Sequence, residues 1–244
     1  MKTRNQILAF VCIFLLSGMT SLFGSELSTP KGDNIKKEKR EVGSFTGIRV
    51  GGAFEVIVKQ TGECSVVIEA DEEIMQYITT EVDGDILRIG MKKPKPSCWN
   101  KVNTLKAFIT VADLESIDLS GAVEFTTESK IKGDELVMEI SGAAEIDLDL
   151  DVQKLKVEMS GASELDVQGQ AQEAIIKSSG ASDMDAFDFQ VENLSIYASG
   201  ACDAKVNATR TLKVSASGAC DVKYKGDASV NVHTSGASSV KKYD

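Results

Sequence analysis

The triplet Ser-Gly-Ala occurs seven times in the second half of the chain, at 120–122, 141–143, 160–162, 179–181, 199–201, 217–219 and 235–237. The spacings are 21, 19, 19, 20, 18 and 18 residues. A near-constant period of this length marks a repeat architecture, in which a unit buries its apolar face only by stacking on its neighbours. Apolar residues alternate ahead of the triplet, as in Leu136-Met138-Ile140, Leu155-Val157-Met159 and Leu212-Val214-Ala216. After it come a small residue, an acid and an apolar residue, as in Ser163-Glu164-Leu165 and Cys220-Asp221-Val222. Period-two alternation is the mark of half-buried strands. Residues 113–240 show no helical period and contain no proline.

A unit of 18–21 residues holds about three strands of five or six residues. The expected fold is therefore all-β: a single-stranded right-handed parallel β-helix, a solenoid with 18–21-residue coils stacked at about 4.8 Å. Glycine permits the unusual backbone angle of a tight corner. Two core columns are expected: Ile117, Met138, Val157, Ile176, Ile196, Val214, Val232, and beside it Leu119, Ile140, Met159, Ser178, Ala198, Ala216, Thr234. A sandwich would need regular Asn-Gly or Asp-Gly hairpin turns, and no regular set is present. A left-handed hexapeptide helix fits the drifting spacing poorly.

The regular solenoid is assigned to 113–240. Residues 42–112 are read as less regular coils of the same solenoid, because Ile48–Val58 imitates the later units with Gly51-Gly52-Ala53 in place of the triplet. A short helix is expected over Glu72–Thr79, and 92–104 is a Lys- and Pro-bearing insertion. Residues 25–41 are polar and charged, a flexible leader. Residues 1–24 read as a secretory signal peptide: Lys2 and Arg4, an apolar run from Ile7 to Leu16, then small residues at Ser21 and Gly24. A retained N-terminal anchor is the alternative. The run is short for a membrane span, which takes about 20 residues, and no other segment is apolar enough to span. The protein is thus expected in the periplasm, at the outer membrane or outside the cell.

The formal net charge is −10, and loss of residues 1–24 moves it to −12. Such a body repels nucleic acid and suits cationic partners.

The opening SFTGIRVGGAFEVIVKQTGECSVVIEADEEIMQYI, the segment GDILRIGMKK and the serial SGASELDV-type units resemble the putative autotransporter adhesin head "GIN" domain family. The resemblance covers roughly residues 42–240. It implies a right-handed parallel β-helix and an adhesin-like role, and it brings no catalytic residues.

Two residues beyond each triplet alanine stands an acid in six of seven units: Glu124, Glu145, Glu164, Asp183, Asp203 and Asp221, with Ser239 last. Alternation places them outside. Two positions further lie Asp147, Asp166 and Asp185, then Lys205, Lys223 and Lys241. At ~4.8 Å spacing each like-charge neighbour costs just under ~1 kcal/mol in bulk water, so a merely solvated face is tolerable. The sharper reading is a strip for divalent cations or a basic partner. Calcium wants six to eight oxygens around it, more than a flat ladder offers.

A second candidate is the insertion, where Lys92, Lys93, Trp99 and Lys101 combine cations with an aromatic, a pattern that docks sugars or acidic polymers; a plain surface loop is the alternative. Cys202 and Cys220 occupy the same position in adjacent units, which leaves a disulfide and a pair of core thiols both open. The serine column has no base at a fixed offset, and the lone His233 supports neither a catalytic triad nor a histidine metal cluster. No catalytic residue and no cofactor is assigned. The sequence reads as an exported, non-catalytic binding scaffold for a glycan or protein ligand. A carbohydrate-active enzyme and a self-assembling envelope component, a homo-oligomer through its coil ends, are the alternatives.

Overall fold

A computed structural model describes residues 34–92 and 104–243. The proposed signal peptide and residues 25–33 of the proposed leader lie outside the described residues. Eleven strands and one short helix follow in the order β1 (Ile35–Arg40), β2 (Gly47–Gly52), β3 (Glu55–Gln60), β4 (Ser65–Asp71), α1 (Glu72–Met75), β5 (Ile78–Asp83), β6 (Ile86–Met91), β7 (Leu105–Val111), β8 (Ser116–Thr127), β9 (Ile131–Lys225), β10 (Ser229–Gly236) and β11 (Ser239–Lys242). Residues 35–40, assigned to the leader by their charge, form β1. The helix expected over Glu72–Thr79 is a single turn that buries Ile74 and Met75, and the chain is a strand again by Ile78.

The expected right-handed parallel β-helix is corrected by the strand pairing. All strands belong to one 11-stranded sheet of mixed pairing that wraps into a nearly closed, barrel-like wall. Its order is β1-β4-β7-β3-β8-β2-β6-β5, with β9 joined to β8 and carrying β10 and β11. β1 with β4, β4 with β7 and β5 with β6 are antiparallel. The physical cause lies in two chain reversals. α1 turns the chain between β4 and β5, and Gly84, at φ +61°, turns the β5–β6 hairpin. A two-residue turn of this kind calls for positive φ, which glycine adopts without penalty.

Within this sheet the repeat units lie parallel, in the register that their triplets define. Ser120, Gly121 and Ala122 of β8 stand opposite Ser141, Gly142 and Ala143 of β9, and Ser235 and Gly236 of β10 stand opposite Ser217 and Gly218. The triplet glycines have φ between +75° and +118°. A Cβ on Gly161 would overlap the carbonyl oxygen of Gly142, and the same holds from Gly121 to Gly218. Glycine is therefore required here twice over, by backbone angle and by closeness of the unit beneath.

The core is continuous from Phe45 to Val222. Both expected columns are buried as far as Val214 and Ala216. Val232 is 39% exposed and Thr234 is exposed, because among the described residues β10 pairs only with β9. The second column shrinks from Leu119, Ile140 and Met159 to Ser178, Ala198 and Ala216. The later units thus fill their interior with smaller side chains.

Candidate functional site

The acid positions of the repeat form one outer column. Glu124 pairs in register with Glu145. Glu145, Glu164, Asp183 and Asp203 are exposed and Asp221 is half-buried. The alanines of the triplets lie beside them, and together they line a shallow groove of about 720 Å³ that runs across six units from Ala122 to Ala219. The register extends the column in the other direction through Glu55, Lys106, Glu69 and Lys37. There the signs alternate, and the pairs close: Lys106 Nζ lies 2.6 Å from Glu55 and Lys37 Nζ 2.7 Å from Glu69. Beyond Glu55 the column is uniformly acidic until Ser239, whose hydroxyl donates to Asp221 at 2.5 Å.

The electrostatics follow from this arrangement. Partial burial, then the neighbouring Glu55 and Glu145, hold the Glu124 carboxyl above its ordinary value. Burial, then Asp166, Glu145 and Asp183, raise Glu164. Burial and the flanking Asp185 and Asp147 raise Asp166 in the second outer column. Asp185 is the exception. Burial acts upward on it, but a 2.7 Å bond from Lys205, the Phe187 backbone N–H and the Lys205 and Lys225 charges outweigh that and lower it. Among the described residues no group of three or more His, Cys, Asp or Glu is gathered to hold a metal ion.

The structure separates the other candidates. Lys92 is exposed, and its backbone N–H donates to the Tyr77 carbonyl at 2.8 Å. Lys93, Trp99 and Lys101 lie outside the described residues. Cys202 and Cys220 are both buried and are free thiols. Cys220 donates to the Ser217 carbonyl at 3.4 Å, and burial, then Cys202, pushes its thiol up. Cys202 joins a small polar cluster inside the wall, 3.4 Å from Ser178 Oγ, which in turn bonds Ser182 Oγ. His233 is exposed on β10.

The repeat holds a further outer column, which the sequence pattern did not single out. Two residues before each triplet serine stand Asp118, Glu139, Glu158, Lys177, Tyr197, Ser215 and His233. All of these but His233 border a second groove, of about 660 Å³. Its floor is the serine column, in which hydroxyls donate to carbonyls of the unit before: Ser160 to Ile140, Ser179 to Met159 and Ser199 to Ser178, at 3.4–3.5 Å. Aligning the repeats on the triplet exposes this column, but its residues differ from unit to unit.

The family model described as "Putative auto-transporter adhesin, head GIN domain" matches residues 44–228. The sequence has no significant match among curated proteins. Among solved structures, a putative adhesin from Bacteroides fragilis superposes with a TM-score of 0.80 at 23% identity, over 86% of this chain and 97% of that one. A putative adhesin from Parabacteroides distasonis gives 0.68 at 22% identity, over 87% and 98%. A protein from the same species described as a putative lipid binding protein gives 0.63 at 20% identity, over the same shares. At these identities the likeness concerns the fold.

Proposed function

Because the chain belongs to the family described as putative auto-transporter adhesin, head GIN domain, we propose that it is an exported, non-catalytic adhesion scaffold whose acidic wall meets a basic partner surface. One observation carries this reading. The same outer column neutralises itself by alternating sign through Lys37, Glu69, Lys106 and Glu55, and then holds six acids in succession from Glu124 to Asp221. Burial first, and then the like charges beside them, raise the carboxyl pKa of Glu124 and Glu164. A row of fixed negative charge accelerates and orients the approach of a basic surface. Its rungs repeat the same group, whereas catalysis by carboxylates needs two whose environments set them apart.

The test is binding of the purified chain to an array of extracellular-matrix and other basic proteins, followed by the triple variant Glu145→Gln, Glu164→Gln, Asp183→Asn. A ligand whose affinity falls at least about tenfold in the variant, and falls with rising salt, is expected. Undiminished binding by the triple variant, or an array without a basic ligand, overturns the reading.

A further inference from the structure

We propose that the second groove, bordered by Glu158, Lys177 and Tyr197, binds a neutral glycan chain laid along the stack of units. The inference concerns a different face from the acidic wall and stands without it.

Tyr197 is the anchor of the argument. It is 50% exposed, whereas Phe125 and Phe189 of the same stack are 0% and 1% exposed and belong to the core. An aromatic ring left in water on the outer face of a strand costs apolar hydration that burial would remove. Its neighbours in the column are unequal. On one side stands Lys177, whose Nζ lies 2.6 Å from Glu158 Oε1; on the other stands Ser215, too short to cover the ring. A flat apolar face therefore lies open toward Ser215, beside a donor, an acceptor and a row of hydroxyls.

Each of Ser160, Ser179 and Ser199 spends its one proton on a carbonyl of the unit before. A serine hydroxyl has one donor and two acceptor lone pairs, so the groove floor presents acceptors at intervals of one unit. Lys177 supplies N–H donors and Glu158 a further acceptor. A pyranose matches this set, with a C–H-rich face for the ring and hydroxyls for the acceptors.

Other ligand classes match less well. An anionic polymer would meet Glu139, which among the described residues has no cation beside it, and would have to displace Asp118 from Arg49 and Glu158 from Lys177 to gain a contact. A cationic one would find Asp118 and Glu158 already held by Arg49 and Lys177, and the uniformly acidic wall serves it better. A lipid chain needs a continuous apolar lining, and the column offers one aromatic side chain among polar ones.

The experiment is native affinity electrophoresis of the full chain through gels containing soluble starch, glucomannan, xyloglucan or mixed-linkage β-glucan, with polygalacturonate as the anionic comparison. The parent is expected to be retarded by at least one neutral polysaccharide and not by polygalacturonate. Tyr197→Ala weakens that retardation about tenfold or more, and Tyr197→Phe retains it. Ser215→Lys, which covers the open ring face without altering Tyr197, gives the same loss as Tyr197→Ala. The triple variant of the acidic wall keeps full retardation. Thermal melts identify any variant that has lost its fold. The proposal is overturned if no neutral polysaccharide retards the parent, if folded Tyr197→Ala or Ser215→Lys migrates like the parent, or if polygalacturonate alone retards it.

Discussion

The part of the wall before residue 113 and the repeat part after it solve the same packing problem by different means. The first uses antiparallel pairs, a hairpin and one turn of helix, and its charges alternate and pair along the column of Lys37, Glu69, Lys106 and Glu55. The second stacks near-identical units on bare glycine corners, and along that column it sets acid beside acid from Glu124 to Asp221. The contrast teaches that the repeat part accepts two costs at every unit, in backbone closeness and in like charge along one column. The first cost is structural, since units stacked through Gly121 to Gly218 have no room for a Cβ. The second is the feature on which the proposed basic partner rests.

Four measurements break or sharpen this comparison. The largest effect is expected at Gly161→Ala, where φ is +109° and the new Cβ overlaps the Gly142 carbonyl oxygen. Backbone strain and overlap each contribute ~1–3 kcal/mol, so a loss near 4 kcal/mol or failure to fold is expected in urea unfolding. Shortening a core residue comes next. Ile140→Ala, in the column that tapers to Ala198 and Ala216, should cost about 3 kcal/mol by the same measurement. Gly84→Ala, at φ +61° with open space around it, meets only the backbone penalty of ~1–2 kcal/mol. A loss at Gly84 as large as at Gly161 would erase the distinction between the two parts.

The smallest effect is electrostatic. Glu124, Glu164 and Asp166 have raised pKa values in the folded protein. Such a carboxyl holds its proton more tightly folded than unfolded. Folding is therefore penalised above the folded pKa, and the penalty fades as the pH falls through it. The melting temperature should rise as the pH is lowered from neutral toward the upper end of the carboxylate range, and Glu164→Gln should reduce that rise. Asp185, lowered by Lys205, works in the opposite direction at more acidic pH, which bounds the window from below. A melting temperature that falls steadily from neutral pH would sink this account of the acidic column.

The triplets made the repeat register legible, residue for residue, because identical small groups recur where units touch. They also hid the rest. Asp83-Gly84-Asp85 is a hairpin signal, yet one turn carried little weight beside seven triplets, and the mixed pairing of the sheet went unread. Residues 35–40, Ile-Lys-Lys-Glu-Lys-Arg, have no apolar alternation; they form a strand because β4 offers them a backbone ladder and Glu69 meets Lys37. Val232 and Thr234 align with core columns but lie exposed, since alignment says nothing of whether a neighbour lies above. The acid column was legible because its members are alike. The column of Tyr197 was not, because its members differ from unit to unit.

The ladders that join one unit to the next have a mechanical consequence. Tension applied through β11 and β10 opens the hydrogen bonds of the outermost unit before those of the unit beneath, a few at a time rather than all together. Each unit that peels away releases 18–21 residues, roughly 60–70 Å of contour at about 3.4 Å per residue. Under load the repeat part is expected to lengthen in near-equal steps, with the spacing of its glycine corners setting the length of each step.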